Sequence, residues 1–160
     1  MADETEKATI ILFNGELDKA LAAFIMATGA AAMGMDVTML FTFWGLNCLR
    51  GAAGGPAKTP MGRMLDVMNP GGADKLPLTH LDMAGVGRKL MKQVMKSKGI
   101  AALPELMEMA RELDVKMVAC QMSMDALEVS REELIFPEIE IGGVAVCLAS
   151  ASESKFTLFI

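Results

Sequence analysis

At 160 residues the chain has the length of one domain able to bury its own core. Its net charge of −5 excludes nucleic acid as the main partner, because phosphate contacts demand a basic face. Apolar residues make up 52% of it, yet Thr28, Gly29 and Gly34 interrupt the longest apolar stretch, residues 21–35, before it reaches membrane-spanning length.

The acidic start, residues 1–7, has the character of neither a secretory signal nor a transit peptide, so the expected location is the cytoplasm. A peripheral membrane contact stays compatible with the apolar content. Sixteen methionines and no tyrosine suit either an irregular core or adaptable contact surfaces. Three cysteines are too few and too irregularly spaced for a disulfide framework or a zinc site. No metal and no cofactor are expected.

Residues 8–13 are a β-branched apolar run, the pattern of a strand buried on both faces. Asn14-Gly15 ends it, and Leu17, Ala20, Leu21, Phe24, Ile25, Thr28, Ala31 and Ala32 then recur at helical spacing up to Gly34. A second strand over residues 37–41 completes a βαβ unit, so the two strands are parallel neighbours. Residues 43–80 read as a loop-rich insertion with little helices near Trp44 and over 61–68, broken by the glycines of 51–56 and by Asn69-Pro70-Gly71-Gly72. A stronger helix is predicted from Met83, with Val86, Leu90, Met91, Val94 and Met95 on its apolar side and lysines 89, 92 and 96 on the rest. Leu103-Pro104-Glu105 opens the next. Residues 115–119 form a third strand that ends at Cys120, with a short helix near Ser123 and a capping-box turn at Ser130-Arg131-Glu132-Glu133. A short strand at 139–141, a small-residue helix over 144–152 and a last strand at 156–160 close the chain. The whole reads as a single α/β domain: an open, mostly parallel sheet of about five strands with helices on both faces.

Ligand crevices in such sheets lie outside the carboxyl ends of the strands. That edge carries Asn14-Gly15-Glu16, Phe43-Trp44-Gly45 and Cys120-Gln121-Met122-Ser123. Cys120 therefore stands at the functional edge, ahead of a short helix whose amides favour a thiolate, and is the candidate nucleophile. The bland alternative is a buried thiol ending a strand. Asn14, Trp44, Gln121 and Ser123 are the substrate-contact candidates around it. Cys147 lies in an apolar helix face and reads as packing. Cys48 is either packed or a second thiol approaching Cys120 from the neighbouring loop. His80, the only histidine, has no metal-ligand spacing and is an auxiliary candidate if its loop folds over the crevice. No Gly-x-Gly-x-x-Gly follows the first strand, Gly54-Gly55-Pro56-Ala57-Lys58-Thr59 lacks phosphate-loop spacing, and no Cys-x-x-Cys occurs.

The stretch Val118-Ala119-Cys120-Gln121-Met122-Ser123-Met124-Asp125-Ala126-Leu127 resembles the cysteine motif of the DsrE/DsrF-like sulfur-relay family, in its soluble, peroxiredoxin-like branch. Phe41-Thr42-Phe43-Trp44-Gly45-Leu46-Asn47, Met68-Asn69-Pro70-Gly71-Gly72 and Ile141-Gly142-Gly143-Val144-Ala145 are similar to that branch as well. The resemblance implies a flavodoxin-like three-layer fold and a sulfurtransferase that carries sulfane sulfur as a persulfide on Cys120. It also implies a homo-oligomer, a trimer or larger, and TusA-like or rhodanese-like sulfur-carrier partners. Two other functions stay open: a non-catalytic oligomeric binding or assembly module, and a thiol redox sensor using Cys48 and Cys120.

Overall fold

The β-branched run near the start forms strand β1, Lys7–Leu12, and the apolar stripe after it forms helix α1, Leu17–Ala32. Strand β2, Asp36–Phe41, lies parallel to β1 with Ile10 opposite Met39 and Ile11 opposite Leu40. The computed structural model describes residues 5–51 and 55–160. Positions 1–4 of the acidic start and Ala52-Ala53-Gly54 of the expected glycine break lie outside the described residues. After a 3₁₀ segment at Phe43–Leu49 come helices α2, Pro60–Met68, α3, Val86–Ser97, and α4, Leu103–Glu112. Strand β3, Lys116–Cys120, runs into α5, Gln121–Ala126. Strand β4, Glu140–Gly142, helix α6, Val144–Glu153, and strand β5, Phe156–Phe159, complete the described chain. The sheet is parallel throughout, in the order β4-β3-β2-β1-β5.

Three crossovers step from β1 to β4 in one direction, and the fourth returns past β1 to β5. Right-handed crossovers put helices of the outward steps on one face and the returning helix on the other. Accordingly α1 packs on β1, β2 and α4, whereas α6 packs on β1 and β2 from the opposite side. Ile10, Leu12, Phe24, Met39, Phe41 and Met107 fill the main core beneath α1 and α4. Under α6 lies a smaller cluster of Leu40, Val118, Cys120 and Cys147. There the buried Thr9 hydroxyl sits 2.8 Å from Ser150 Oγ and 2.8 Å from Ser154 Oγ, so the polar group of β1 is satisfied by α6 itself.

The described part of the 43–80 region is tied down. Gly51 N–H donates to the Glu133 carbonyl and Ile135 N–H to the Leu49 carbonyl, an antiparallel bridge between the loop after β2 and the segment after α5. A buried charge cluster reinforces it: Arg50 donates to Asp66 at 2.6 Å, and Lys58 Nζ lies 2.8 Å from Glu133. The predicted capping box at Ser130 is present, with Glu133 accepting the Ser130 N–H at 2.9 Å.

The predicted helix from Met83 is corrected in two ways. Ala84 has φ 57° and Gly85 φ 89°, so residues 83–85 form a separate 3₁₀ turn and α3 starts at Val86. Its expected inward stripe faces outward: Val86, Leu90, Met91 and Val94 are exposed and only Met95 is buried. The cationic side docks instead, Arg88 on the Lys75 carbonyl and Lys92 Nζ on Asp74 at 2.8 Å. The groups of residues 74–76 thus meet the cationic side of α3, and the apolar stripe is left facing outward.

Candidate active site at Cys120

β3 delivers Cys120 to the carboxyl edge of the sheet, and the chain turns at once into α5, whose Met124 joins the main core. The neighbouring strand β4, with Gly142 opposite Cys120, turns the other way into α6. The connections after β3 and β4 thus leave on opposite faces, and a parallel sheet opens its crevice where that happens. Cys120 sits at this divergence. A surface concavity of about 880 Å³, lined by Lys7, Asp36, Glu153 and Lys155 among others, lies at the opposite edge, by the starts of β1 and β2.

Cys120 occupies the N-cap position of α5 without a closed side-chain cap hydrogen bond, and is 4% exposed. Burial works against its thiolate. The nearby Ser123 hydroxyl and N–H, Thr42 hydroxyl and Met122 N–H outweigh burial and hold the thiol below its ordinary value. Ser123 is itself buried and fixed: its Oγ lies 3.0 Å from Thr42 Oγ1 and accepts the Phe43 N–H at 2.8 Å. That bond helps hold Phe43 at φ 46°, a left-handed conformation that costs a non-glycine residue about 1–3 kcal/mol. Backbone strain is thus held beside Ser123, three residues after Cys120.

The aromatic loop approaches from β2. Phe43 and Trp44 are both partly exposed, and Phe13 lies between Phe43, tilted at 5.3 Å, and Phe159, stacked at 5.9 Å. Two glycines let this loop close on β1: a Cβ at Gly45 would stand 2.1 Å from the Leu12 carbonyl oxygen, and one at Gly15 2.6 Å from that of Trp44. Asn14, half-buried at the same edge, donates its N–H to the Ile160 carbonyl at 3.4 Å.

Of the sequence candidates, Cys120, Ser123 and the Trp44 loop are brought together at this edge, with Asn14 on the adjoining loop. Gln121 turns away, its amide donating to Asp125 at 2.8 Å on the outer side of α5. Cys48 is not brought to Cys120. It is fully buried in the main core, its Sγ 3.1 Å from the Gly45 carbonyl, and burial pushes its thiol far up. His80 is exposed at a turn with φ 47°, beyond Thr79, which docks on Asp18 in the first turn of α1 and not on the thiol. Asp18 is held below the usual carboxylate range, burial being overcome by the Thr79 hydroxyl and N–H. The sequence reading missed Thr42, although it directly follows β2 at the same edge. It also assigned Cys147 to packing alone, whereas Cys147 shares the small cluster with Cys120.

Replacing Ser123 by alanine is expected to slow iodoacetamide alkylation of Cys120 at pH 7 by about threefold. The lost hydroxyl lowers the thiolate fraction, and the greater nucleophilicity of a more basic thiolate offsets part of that loss. The midpoint of the alkylation rate against pH should move up. An unchanged midpoint would show that Ser123 does not stabilise the anion.

The fold and site define an open, all-parallel α/β protein with a buried thiol at the carboxyl edge of its sheet. The chain belongs to the DsrE/DsrF/DrsH-like family, whose model matches residues 4–159. It is 39% identical over 166 residues to the sulfur carrier protein DsrE2 of Allochromatium vinosum, covering 98% of this chain and 99% of that one. It is also 46% identical over 161 residues to the protein YrkE of Bacillus subtilis (strain 168), described as uncharacterized, covering 100% of both. Among the described residues, no helix is long and apolar enough to cross a membrane.

Proposed function

We propose that this protein is a sulfur carrier that accepts sulfane sulfur on Cys120 as a persulfide and hands it to the thiol of a partner. The observation that carries this reading is the environment of one sulfur: Cys120 alone of the three thiols is shifted toward its thiolate, while Cys48 and Cys147 are shifted away. A thiolate is what attacks a persulfide or polysulfide sulfur. The same hydroxyl and amide groups would stabilise the persulfide anion that results. Likeness to a named sulfur carrier over nearly the full length supports the same chemistry.

The reading extends to partners. Phe43, Trp44 and Met122 are exposed around the buried sulfur, a surface suited to a small sulfur-carrier protein, TusA-like or rhodanese-like, that brings its own thiol to the edge. The outward apolar stripe of α3 supports assembly into a homo-oligomer, and three free cysteines fit the reducing cytoplasm.

The test is to incubate reduced protein with polysulfide and record its intact mass and peptide map. One added sulfur, about 32 Da, carried by the Cys120 peptide and removed by dithiothreitol, is the expected result. No mass gain and no sulfide released, or sulfur found only on Cys48 or Cys147, would remove the proposal.

A further inference from the structure

Cys147 is buried, nucleophilic in type and unused by the transfer just described. Side-chain packing brings it to the site. Gly142 is the register partner of Cys120. A Cβ at position 142 would stand 3.1 Å from Val118 Cγ1 and 3.3 Å from Val146 Cγ2, tighter than ordinary contact. Glycine therefore leaves room at position 142 for Val118 of β3 and Val146 of α6 to approach each other. Cys147, at the start of α6 and 2% exposed, closes an apolar cluster with Cys120, Leu40 and Val118, against which Ile11 packs. Water is largely kept from both sulfurs, so a reaction between them competes with one that needs an incoming partner. Burial first, and then a charge on Cys120, keep Cys147 protonated. It carries a proton to the pair.

We infer that Cys147 discharges a Cys120 persulfide that finds no acceptor, releasing hydrosulfide and closing a Cys120–Cys147 disulfide. The inference rests on the persulfide reading of Cys120. In the step, the proton of Cys147 passes to the outer sulfur of the persulfide anion, and the Cys147 thiolate so formed bonds to Cys120 Sγ as the bond from Cys120 Sγ to the outer sulfur breaks. The outer sulfur leaves with the electron pair as hydrosulfide. The sulfane sulfur is reduced by two electrons, and the two cysteine sulfurs together are oxidised by two. A dithiol reductant then restores the protein for another cycle.

The experiment loads the reduced protein with about one equivalent of glutathione persulfide, removes donor by desalting, and follows intact mass and free sulfide. In wild type the species heavier by about 32 Da is expected to give way to one about 2 Da lighter than reduced protein, as sulfide appears and the 120 and 147 peptides become linked. In Cys147→Ala the heavy species should persist, with sulfide release slowed at least about tenfold. Loaded wild type that releases sulfide no faster than Cys147→Ala overturns the inference and leaves the persulfide reading standing. Failure of both wild type and Cys147→Ala to load, with no sulfide released, overturns that reading and the discharge with it. Should the alanine variant not fold, diamide treatment of wild type reads the pair directly, two hydrogens passing from the thiols to diamide. A 120–147 crosslink supports the inference, and thiols that stay reduced, or a crosslink to Cys48, overturn it.

Discussion

Cys120→Ser is expected to abolish sulfur uptake from polysulfide while changing stability by no more than about 1 kcal/mol. A serine hydroxyl does not ionise near neutral pH and cannot attack sulfane sulfur, so the chemical loss should be complete. The fold has reason to tolerate the change. Serine is a favoured N-cap residue, and position 120 caps α5 with the Met122 and Ser123 amides close by. Cys48→Ser is the contrasting variant. There the hydroxyl would be fully buried in the main core, with the Gly45 carbonyl as the partner that the thiol uses now. That substitution should cost about 1–3 kcal/mol and leave sulfur uptake intact. Intact mass after polysulfide treatment and urea unfolding read the two effects separately. Sulfur retained on the Cys120→Ser protein would place the reactive thiol elsewhere.

Glu133→Ala should destabilise the protein by about 3–5 kcal/mol, read as a lower urea midpoint at unchanged slope. Glu133 is 6% exposed and Arg50 8% exposed, and Glu133 Oε1 lies 2.8 Å from Lys58 Nζ and 3.4 Å from Arg50. Removing the carboxylate leaves two buried cations sharing Asp66, and leaves the Ser130 N–H without its acceptor. Glu133→Gln keeps a side-chain oxygen for that N–H and should fall between the two. The cluster also carries an acid sensitivity. Burial disfavours the Asp66 carboxylate, but hydrogen bonds from Lys58 and Arg50 prevail and lower its pKa below the ordinary value. Its contribution is therefore fully present above the unfolded carboxylate value of about 3.9 and is lost as pH falls through the lower folded one. A Glu133→Ala cost below about 1 kcal/mol would mean that the cluster is solvated enough to dispense with its second carboxylate.

Where local pattern and tertiary environment agree, the sequence is a sufficient guide. The β-branched run of β1 and the stripe of α1 meet the core they advertise, and a strand followed by a short helix puts Cys120 at the carboxyl edge whatever the strand order. The proximity of Cys147 depends on strand order and on the face to which the returning helix is sent, and neither leaves a periodic trace. The reversed helix α3 was opaque for a related reason. Its apolar stripe is a genuine helical signal, but the carbonyls and carboxylate that capture Arg88 and Lys92 sit in an aperiodic loop. Cys48 shows the limit of nearness in sequence to the site: following β2 by a few residues, it folds into the main core.

Side chains alternate across a strand, so Cys120 shares the α6 face with Val118, while Met117 and Ala119 belong to the main core. A deletion of one codon within β3 would shift that parity and direct the thiol toward Phe41 beneath α1 and α4. It would then meet the fate of Cys48, sealed in apolar surroundings and chemically silent. Length variation among natural variants should therefore accumulate in the turns before and after β3 and be purged from the strand itself, whose residue count works as a reading frame for reactivity.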